Sequence, residues 1–423
     1  MGMSAFRGEA ESRPKVRNAR QGMGALVSLP RALKAMATAF LLALGAIFAV
    51  NLVGSAPAQK GGVKAPPREP EQVTCLVPHA QALLQVSSVR QGYPRVAWER
   101  QLPGKAHLRR GKACLYACTQ QGDIMALDPR NGSVIWSTSL GGWVSSAPLF
   151  SEGFLYVGNA DRRLYAIDAN SGRTLWFFPT QGEIISSPVS GKGTVLFFAD
   201  NDSVFKLVNR LYVVDGRTGA LRWSYETPNW SKSPPAVGES LAYLAGYERK
   251  LVALSMENGA ETWSFQAGNI INSSPVLLGG TVACSTVDGE VVGLDAITGA
   301  LTWKTTMPGP TWTASGGPHR VFLYYDRTGT LSAFLPDGKV AWTFRKEGLL
   351  FSLVREEAGE IMVFEEGGRI HLLDPGTGKR SAIIHLPFHD PVSAEAEGSS
   401  IFVASGSGRL ICFDVEQMDW IVP

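Results

Sequence analysis

Residues 166–176 read Ala-Ile-Asp-Ala-Asn-Ser-Gly-Arg-Thr-Leu-Trp, and versions of this stretch recur along most of the chain. Each full copy has a Gly four residues after an Asp and a Trp four residues after the Gly. The glycines of the copies are Gly132, Gly172, Gly219, Gly259, Gly299, Gly338 and Gly378. They are separated by 40, 47, 40, 40, 39 and 40 residues. A regular period of this size predicts a repeat architecture.

Each conserved position of the motif has its own structural role. The Asp begins a tight turn and accepts a hydrogen bond from the backbone two residues further on. The Gly supplies the positive φ that closes the hairpin, and the Trp opens the next strand. The aspartates are Asp128, Asp168, Asp215, Asp295 and Asp374. The tryptophans are Trp98, Trp136, Trp176, Trp223, Trp263, Trp303 and Trp342, whereas Ala382 occupies the last Trp position.

One repeat reads as four short strands. Between residues 136 and 176, runs rich in Val, Leu, Ile, Tyr and Phe are bounded by Gly, Asp, Asn and Pro, which is typical of strands and turns. Eight such units predict an all-β, eight-bladed β-propeller of four-stranded antiparallel blades, because stacked sheets in a ring bury one another's faces. We expect the strand around residues 96–102 to complete the last blade. The tail 418–423 is the alternative for this role, and seven blades is the alternative count.

The repeats resemble the tryptophan-docking repeat of the pyrroloquinoline-quinone (PQQ)-type β-propeller family over about residues 95–415. This fold serves both quinoprotein dehydrogenases and binding proteins, so the resemblance implies the fold more firmly than the chemistry. The family's enzymes hold PQQ, usually with Ca²⁺, and carry a disulfide between adjacent cysteines. This chain has cysteines at 75, 114, 118, 284 and 412, none of them adjacent. We therefore expect no cofactor, no metal and no catalytic residue, with a PQQ-dependent oxidoreductase as the alternative.

The repeats, which have few insertions between blades, are most similar to those of the BamB family, the propeller subunit of outer-membrane β-barrel assembly. That resemblance implies a monomeric, non-catalytic scaffold that binds other envelope proteins, among them the β-barrel assembly complex, partly by strand pairing. The family is lipid-modified on a Cys beside its signal, and this chain has no Cys there. A sensor or adaptor propeller tethered to the inner membrane is therefore a further hypothesis. The net charge of +3 gives no indication of nucleic-acid binding.

The N-terminal region predicts export or anchoring. Residues 1–34 are basic and polar and are expected to be disordered. Residues 35–54 carry no charge and are long enough to cross a bilayer, which predicts a transmembrane signal-anchor or a signal peptide cleaved near residues 56–58. Translation from Met23 would give an ordinary signal peptide. Either arrangement places the propeller, residues 95–423, on the periplasmic side of a bacterial envelope, after a linker at 55–94.

The one long interval between repeats contains extra residues near 200–210. Phe205, Lys206, Leu207 and Val208 lie in this insertion. One interpretation is a partner-binding loop with exposed apolar side chains, and the other is a longer hairpin with those side chains packed on the blade.

Two other groups of residues invite a chemical interpretation. Cys114 and Cys118 lie on one strand about 13 Å apart, too far for a disulfide, so they are expected to be small buried hydrophobic residues. His385, His389 and Asp390 surround Pro387, which rules out the helix on which closely spaced ligands normally lie. We expect a blade-connecting loop there rather than a metal site.

Overall fold

The computed structural model describes residues 89–421 except 185, 204–205, 228–232, 308, 310–312, 317–319, 326–328, 346–349, 358 and 366. The chain divides into two units, Met1–Pro78 and His79–Pro423, and the described residues belong to the second. The basic N-terminus, the apolar segment 35–54 and most of the linker therefore lie outside the described residues. Across the described ranges, none of the helices has the length and apolar character needed to span a bilayer.

The described residues form strands almost throughout. The first seventeen strands are β1 (Arg90–Tyr93), β2 (Val96–Gln101), β3 (Ala106–Arg110), β4 (Leu115–Thr119), β5 (Asp123–Leu127), β6 (Val134–Ser139), β7 (Leu149–Ser151), β8 (Phe154–Asn159), β9 (Arg163–Asp168), β10 (Thr174–Pro179), β11 (Val189–Gly191), β12 (Thr194–Ser203), β13 (Lys206–Asp215), β14 (Leu221–Thr227), β15 (Ala236–Val237), β16 (Leu241–Ala245) and β17 (Lys250–Ser255).

The second half of the chain continues the same pattern. Its strands are β18 (Glu261–Gln266), β19 (Val276–Leu278), β20 (Thr281–Ser285), β21 (Glu290–Asp295), β22 (Leu301–Thr306), β23 (Thr313–Gly316), β24 (Val321–Tyr325), β25 (Thr330–Phe334), β26 (Val340–Arg345), β27 (Leu350–Glu357), β28 (Glu360–Glu365), β29 (Arg369–Leu373), β30 (Arg380–His385), β31 (Pro391–Glu397), β32 (Ser400–Ser405), β33 (Arg409–Asp414) and β34 (Asp419–Ile421). A short 3-10 helix, Val415–Gln417, precedes the last strand.

These strands form eight antiparallel blades, which confirms the predicted fold. Strands β3–β6 form blade one, and each following group of four forms the next blade up to blade seven, β27–β30. Blade eight consists of β31–β33 and the N-terminal strand β2, whose Trp98 lies opposite Cys412. First strands of neighbouring blades contact one another and therefore surround the axis, while the Trp-bearing strands lie outermost.

The two ends of the described chain meet on blade seven. Strand β1 runs parallel to β30, and β34 pairs antiparallel with β1, which gives this sheet six strands. The tail therefore does not close the ring, and the N-terminal strand does, as expected. The predicted linker 55–94 needs correction at its end, because Arg90–Tyr93 belongs to the blade-seven sheet. Its backbone hydrogen bonds to β30 explain why it is ordered as a strand.

The tryptophans join each blade to the next one, except at the junction of blades seven and eight. The indole of Trp136 on blade one lies against Gly172 of blade two, where an added Cβ would approach the ring to 2.5 Å. Its Nε1 donates to the carbonyl oxygen of Ala169 at 3.0 Å. Gly172 has a φ of +74°, so both backbone conformation and space require glycine. The pairs are Trp98–Gly132, Trp136–Gly172, Trp176–Gly219, Trp223–Gly259, Trp263–Gly299, Trp303–Gly338 and Trp342–Gly378.

The aspartate of each motif builds the turn that receives the tryptophan. Asp168 Oδ1 accepts the backbone N–H groups of Asn170 at 3.1 Å and Ser171 at 2.7 Å. Its pKa is lowered, first by the hydrogen bonds from the side chain and backbone of Ser171. Asp215 has the same bonds with Thr218 and an ion pair with Arg222 at 2.7 Å. The turn predicted from the sequence is therefore present and is stabilised by the ionised carboxylate.

Candidate functional site

The turns of the propeller lie on two opposite faces. In blades one to seven, one turn joins the second and third strands, and the motif turn joins the third and fourth strands at the other end of the sheet. Blade eight has only the former turn, because its fourth strand is β2. We name the end with the turns between second and third strands the hairpin face. We name the end with the motif turns the Asp-turn face. On the hairpin face, the turn sequences of blades two to four differ from those of the other blades, at residues 159–162, 200–209 and 246–249.

Blade three carries a hairpin that is longer than its own sheet. Strands β12 and β13 are ten residues each and pair from Thr194–Asp215 to Ser203–Lys206. The outer strand β14 pairs with β13 only as far as Asn209, opposite Thr227. Residues 201–203 and 206–208 therefore continue as a two-stranded ribbon, which the described strands do not extend with a third. Exposed strand edges of this kind are available for pairing with another chain.

The ribbon is the insertion predicted from the 47-residue interval, and its hairpin form is confirmed. The structure describes Lys206, Leu207 and Val208 only by their backbone, opposite Ser203, Asp202 and Asn201. Phe205 lies outside the described residues. The partner-contact role of these four side chains therefore stays a prediction.

Two arginines flank the ribbon in a backbone conformation that favours glycine. Arg162 in blade two has a φ of +69° and Arg249 in blade four a φ of +62°. Each donates its backbone N–H across the turn, Arg162 to Asn159 and Arg249 to Gly246. This left-handed conformation costs about 1–2 kcal/mol for a residue other than glycine. Glu152 and Lys192, in turns at the opposite end of the blades, have the same conformation. Strained backbone concentrates at functional sites, and it is the position of the two exposed arginines on either side of the ribbon that makes this face a candidate binding surface.

Other blades have glycine at the same turn position, and the reason is steric. The equivalents are Gly122, Gly289, Gly329, Gly368 and Gly408, all with positive φ. A Cβ on Gly122 would lie 2.5 Å from the carbonyl oxygen of Gly142, which belongs to the loop that leads to the next blade. Blades two and four thus replace the residue that the repeat favours with a long basic side chain.

Exposed aromatic side chains lie beside the same turns. Trp143, in the loop between blades one and two, is 61% exposed, and its carbonyl oxygen accepts the N–H of Ala160 at 2.8 Å. Tyr247, in the blade-four turn, is 46% exposed. Large aromatic residues and arginines are the side chains that contribute most binding energy in protein interfaces. The ribbon, Trp143, Arg162, Tyr247 and Arg249 together form what we name the ribbon site.

The polar groups near the ribbon site include both charge signs. Tyr165 donates its hydroxyl to Asp161 at 2.5 Å, and burial together with this carboxylate raises the pKa of Tyr165. Arg210, at the base of the ribbon, pairs with Glu226 at 2.8 Å. Alternating charges around apolar anchors are the composition of a protein-interface rim rather than of a nucleic-acid surface.

The cysteines are the next candidate residues, and they pack within the blades. Cys118, Cys284 and Cys412 are buried free thiols, and Cys114 is a half-buried one that packs in the same cluster as Cys118. Burial raises the pKa of Cys284 to about 12, which keeps this thiol protonated. Cys118 is therefore the buried residue that was predicted, whereas Cys114 is half-buried and precedes strand β4.

The histidines near residue 387 lie at the junction of blades seven and eight. His385, the last residue of β30, contacts Gln91 Oε1 at 2.6 Å and stacks on Tyr93. His389 Nδ1 lies 3.0 Å from the carbonyl oxygen of Gly367. The predicted connecting loop is present. Within the described ranges, His, Cys, Asp and Glu side chains form no group of three or more that could hold a metal ion.

The comparisons with known proteins agree on the family and the fold. The family model described as outer membrane protein assembly factor BamB matches residues 85–229, 179–332 and 271–421. BamB from Moraxella catarrhalis aligns with a TM-score of 0.62 at 16% identity, over 75% of this chain and 97% of that chain. The designed protein Ika8 aligns with a TM-score of 0.66 at 14% identity, over 75% of this chain and 99% of that one.

An enzyme has the same fold. Quinohemoprotein alcohol dehydrogenase ADHIIG from Pseudomonas putida HK5 aligns with a TM-score of 0.60 at 15% identity, over 76% of each chain. No curated protein sequence matches this chain significantly. At these identities the likeness to solved structures concerns the fold alone.

Proposed function

The chain belongs to the family of outer membrane protein assembly factor BamB, and from this premise we propose that it is a non-catalytic protein-binding scaffold of the bacterial envelope. The observation that carries the proposal is the ribbon site, where a two-stranded ribbon projects between turns that hold Arg162 and Arg249 in strained backbone. We propose β-barrel assembly proteins as its partners, by the family's description, and the periplasmic side of the envelope as its location.

Binding at the ribbon site would combine two kinds of contact. The open edges of residues 201–208 can pair with an extended segment of a partner, which supplies affinity through backbone hydrogen bonds. Trp143 and Tyr247 supply apolar anchors on either side, and the arginines can bind a partner's carboxylates with two parallel hydrogen bonds. We propose that Phe205, Leu207 and Val208 of the insertion add apolar contacts.

Site-specific photo-crosslinking in the native host tests this function. A benzophenone amino acid replaces Trp143 or Tyr247 in the full chain, and adducts are identified by mass spectrometry. The matched control is Ile297, which is 63% exposed on the Asp-turn face. We expect both ribbon-site positions to give discrete adducts with envelope proteins of the barrel-assembly complex, and the control to give none.

The same experiment has outcomes that contradict the proposal. Equal adduct patterns from Ile297 and Trp143 would mean that the ribbon site is not a specific surface. Adducts confined to inner-membrane proteins, together with peptides from residues 1–34 in the mature protein, would favour a tethered sensor or adaptor. For catalysis, incubation with PQQ and Ca²⁺ is expected to leave the absorbance spectrum unchanged after dialysis, and retained cofactor absorbance with alcohol oxidation would contradict a non-catalytic role.

A further inference from the structure

The outer strand of every blade carries one residue directly after the tryptophan position, on the rim of the ring. This residue is polar in six blades, and polar side chains are a common protection of exposed sheet edges against pairing with other chains. The two exceptions are Phe177 on blade two and Ile383 on blade seven. These two apolar residues therefore mark edges of a different kind. The six polar residues are Glu99, Ser137, Ser224, Ser264, Lys304 and Thr343.

Blade seven shows what covers an apolar edge of this kind. Strand β1 pairs parallel with β30, and Gln91 lies directly opposite Ile383. Strand β34 pairs in turn with β1, and Ile383 is only 8% exposed. On blade two, β10 is the last strand of its sheet, and Phe177 is 53% exposed. The described strands thus cover one apolar edge and leave the other open.

The backbone of β10 is suited to the same kind of pairing. Thr180 donates its N–H back into the sheet, to the carbonyl oxygen of Arg162 at 2.8 Å. Because backbone groups alternate in direction along a strand, the N–H and C=O groups of Phe177 point outward. Ile383 has the same place in β30, where it pairs with β1. Pro179 has no N–H and ends the stretch of β10 with which an added strand can pair.

The side chain of Phe177 is held in place although the residue is half exposed. The Arg163 guanidinium lies over the ring, 5.0 Å from its centroid, and the Tyr165 ring lies 6.1 Å away. Tyr165 donates its hydroxyl to Asp161, and Arg163 lies 3.4 Å from the same carboxylate. A ring ordered in this way loses little conformational freedom when a partner binds, which suits an interface anchor.

Arginines lie at both ends of the open edge. Arg163 lies at the hairpin-face end, Arg173 precedes the strand at the Asp-turn end, and both are exposed. The two nearest carboxylates already accept hydrogen bonds, Asp161 from a tyrosine hydroxyl and Asp168 from the N–H groups of its turn. Carboxylates of a partner would therefore meet a complementary charge at either end.

We propose that the open edge of blade two binds an extended segment of a partner polypeptide as an added parallel strand. An apolar side chain of this segment packs beside Phe177. Carboxylates two residues before and after it share its face of the strand and lie near Arg173 and Arg163. A strand is the occupant because a strand covers the equivalent edge of blade seven. The edge lies on the rim of the ring, so the proposal does not depend on the ribbon site.

Fluorescence anisotropy of the full chain with the fluorescein-labelled peptide Gly-Asp-Thr-Leu-Thr-Asp-Gly tests the proposal, and we expect saturable binding. N-methylation of the threonine after Leu removes the N–H that would donate to the carbonyl oxygen of Phe177, and should weaken binding about ten-fold. Lys in place of both Asp residues should weaken binding about three- to ten-fold at low salt, and less at high salt.

Variants of the chain test the two kinds of side-chain contact. Phe177→Ser gives blade two the residue that blades one, three and four have at this position, so the fold should persist. This variant should bind the peptide about ten-fold more weakly. Arg173→Gln should weaken binding about three-fold. Ser264→Ala, an exposed change at the same position on blade four, is the matched control and should have no effect.

Four results would overturn the proposal or a part of it. Absence of saturable binding, or undiminished binding either to Phe177→Ser or by the N-methylated peptide, would overturn the edge as a strand-binding site. A benzophenone at the N-terminus of the peptide should crosslink near residues 173–175 and one at the C-terminus near residues 179–181, and the reverse pattern would overturn the parallel arrangement. A dimer of the chain alone that Phe177→Ser dissociates would make a second copy the occupant instead of a partner.

Discussion

The docking of Trp223 on Gly259 can be tested by one added methyl group. Gly259→Ala places a Cβ about 2.5 Å from the indole of Trp223, at a φ of +75°. Gly280→Ala is a matched control, because Gly280 has a φ of +84° and an added Cβ there has no atom within 4 Å. Both substitutions have the same backbone consequence, and only the first disturbs the indole.

The expected losses in the free energy of unfolding differ because an added Cβ contacts the indole at Gly259 and contacts nothing at Gly280. Forcing alanine into the left-handed region costs about 1–2 kcal/mol at either position. At Gly259 the overlap with the indole adds about 1–3 kcal/mol. A further ~1 kcal/mol follows if the ring moves and loses the hydrogen bond from Trp223 Nε1 to Met256 O, which is 3.1 Å long. We therefore expect Gly259→Ala to lower the free energy of unfolding by about 2–4 kcal/mol more than Gly280→Ala.

Thermal and urea unfolding of the two variants measure this difference, and a double-mutant cycle identifies its cause. Trp223→Ala removes the ring, so Gly259→Ala in that background should cost only the backbone part, about 1–2 kcal/mol. A cycle without coupling would refute the argument that the glycine is required by the indole. Equal destabilisation by Gly259→Ala and Gly280→Ala would refute it as well.

Three further predictions concern other parts of the fold. Arg162→Gly relieves a left-handed residue and should raise the free energy of unfolding by about 1 kcal/mol in urea titrations, whereas a clear loss of stability would show that the turn is not strained. The Arg222 guanidinium lowers the pKa of Asp215 to about 2, so its carboxylate stabilises the fold above about pH 4, and this contribution is lost as the pH falls towards 2. Asp215→Asn should flatten that part of the melting-temperature profile, and an unchanged slope would contradict the assignment. Truncation after Gln417 removes β34 but leaves β2 to close the ring, so the circular dichroism spectrum should persist with a melting temperature a few degrees lower; unfolding by this truncation would contradict closure by β2.

Most of the fold could be predicted because each repeat carries its own turn chemistry. The Asp and Gly positions fix a hairpin locally, so counting the strands on either side of these turns predicted eight blades, with seven as the alternative, without any tertiary information. The blade against which each Trp side chain packs could not be predicted in this way. Trp136 donates to Ala169, 33 residues further along the chain, and a fixed phase within the repeat does not tell which blade the ring faces.

The ribbon site was only partly predictable. The 47-residue interval predicted the insertion, and the longer hairpin was one of the two interpretations of it. Arg162 and Arg249 could be identified from the sequence, because each occupies the position where other repeats have glycine before the third strand. The exposure of Trp143 had no such signal, because aromatic residues are equally frequent in the core of these blades, and only the packing separates the two cases.

The irregular features at blade seven have one common cause. This ring contains one junction where the outer strand does not follow its own third strand. Here that junction is blade eight, because β2 arrives from the N-terminal side, so Asp414 leads into a 3-10 helix instead of a Gly turn. Without that turn a Trp at 382 would have no glycine to receive it, and alanine with Leu372 opposite suits the site better. The edge of β30 is covered by β1 and β34. Met418, which lies four residues after Asp414 where other repeats have the turn glycine, is buried in the same hydrophobic cluster as Ala382.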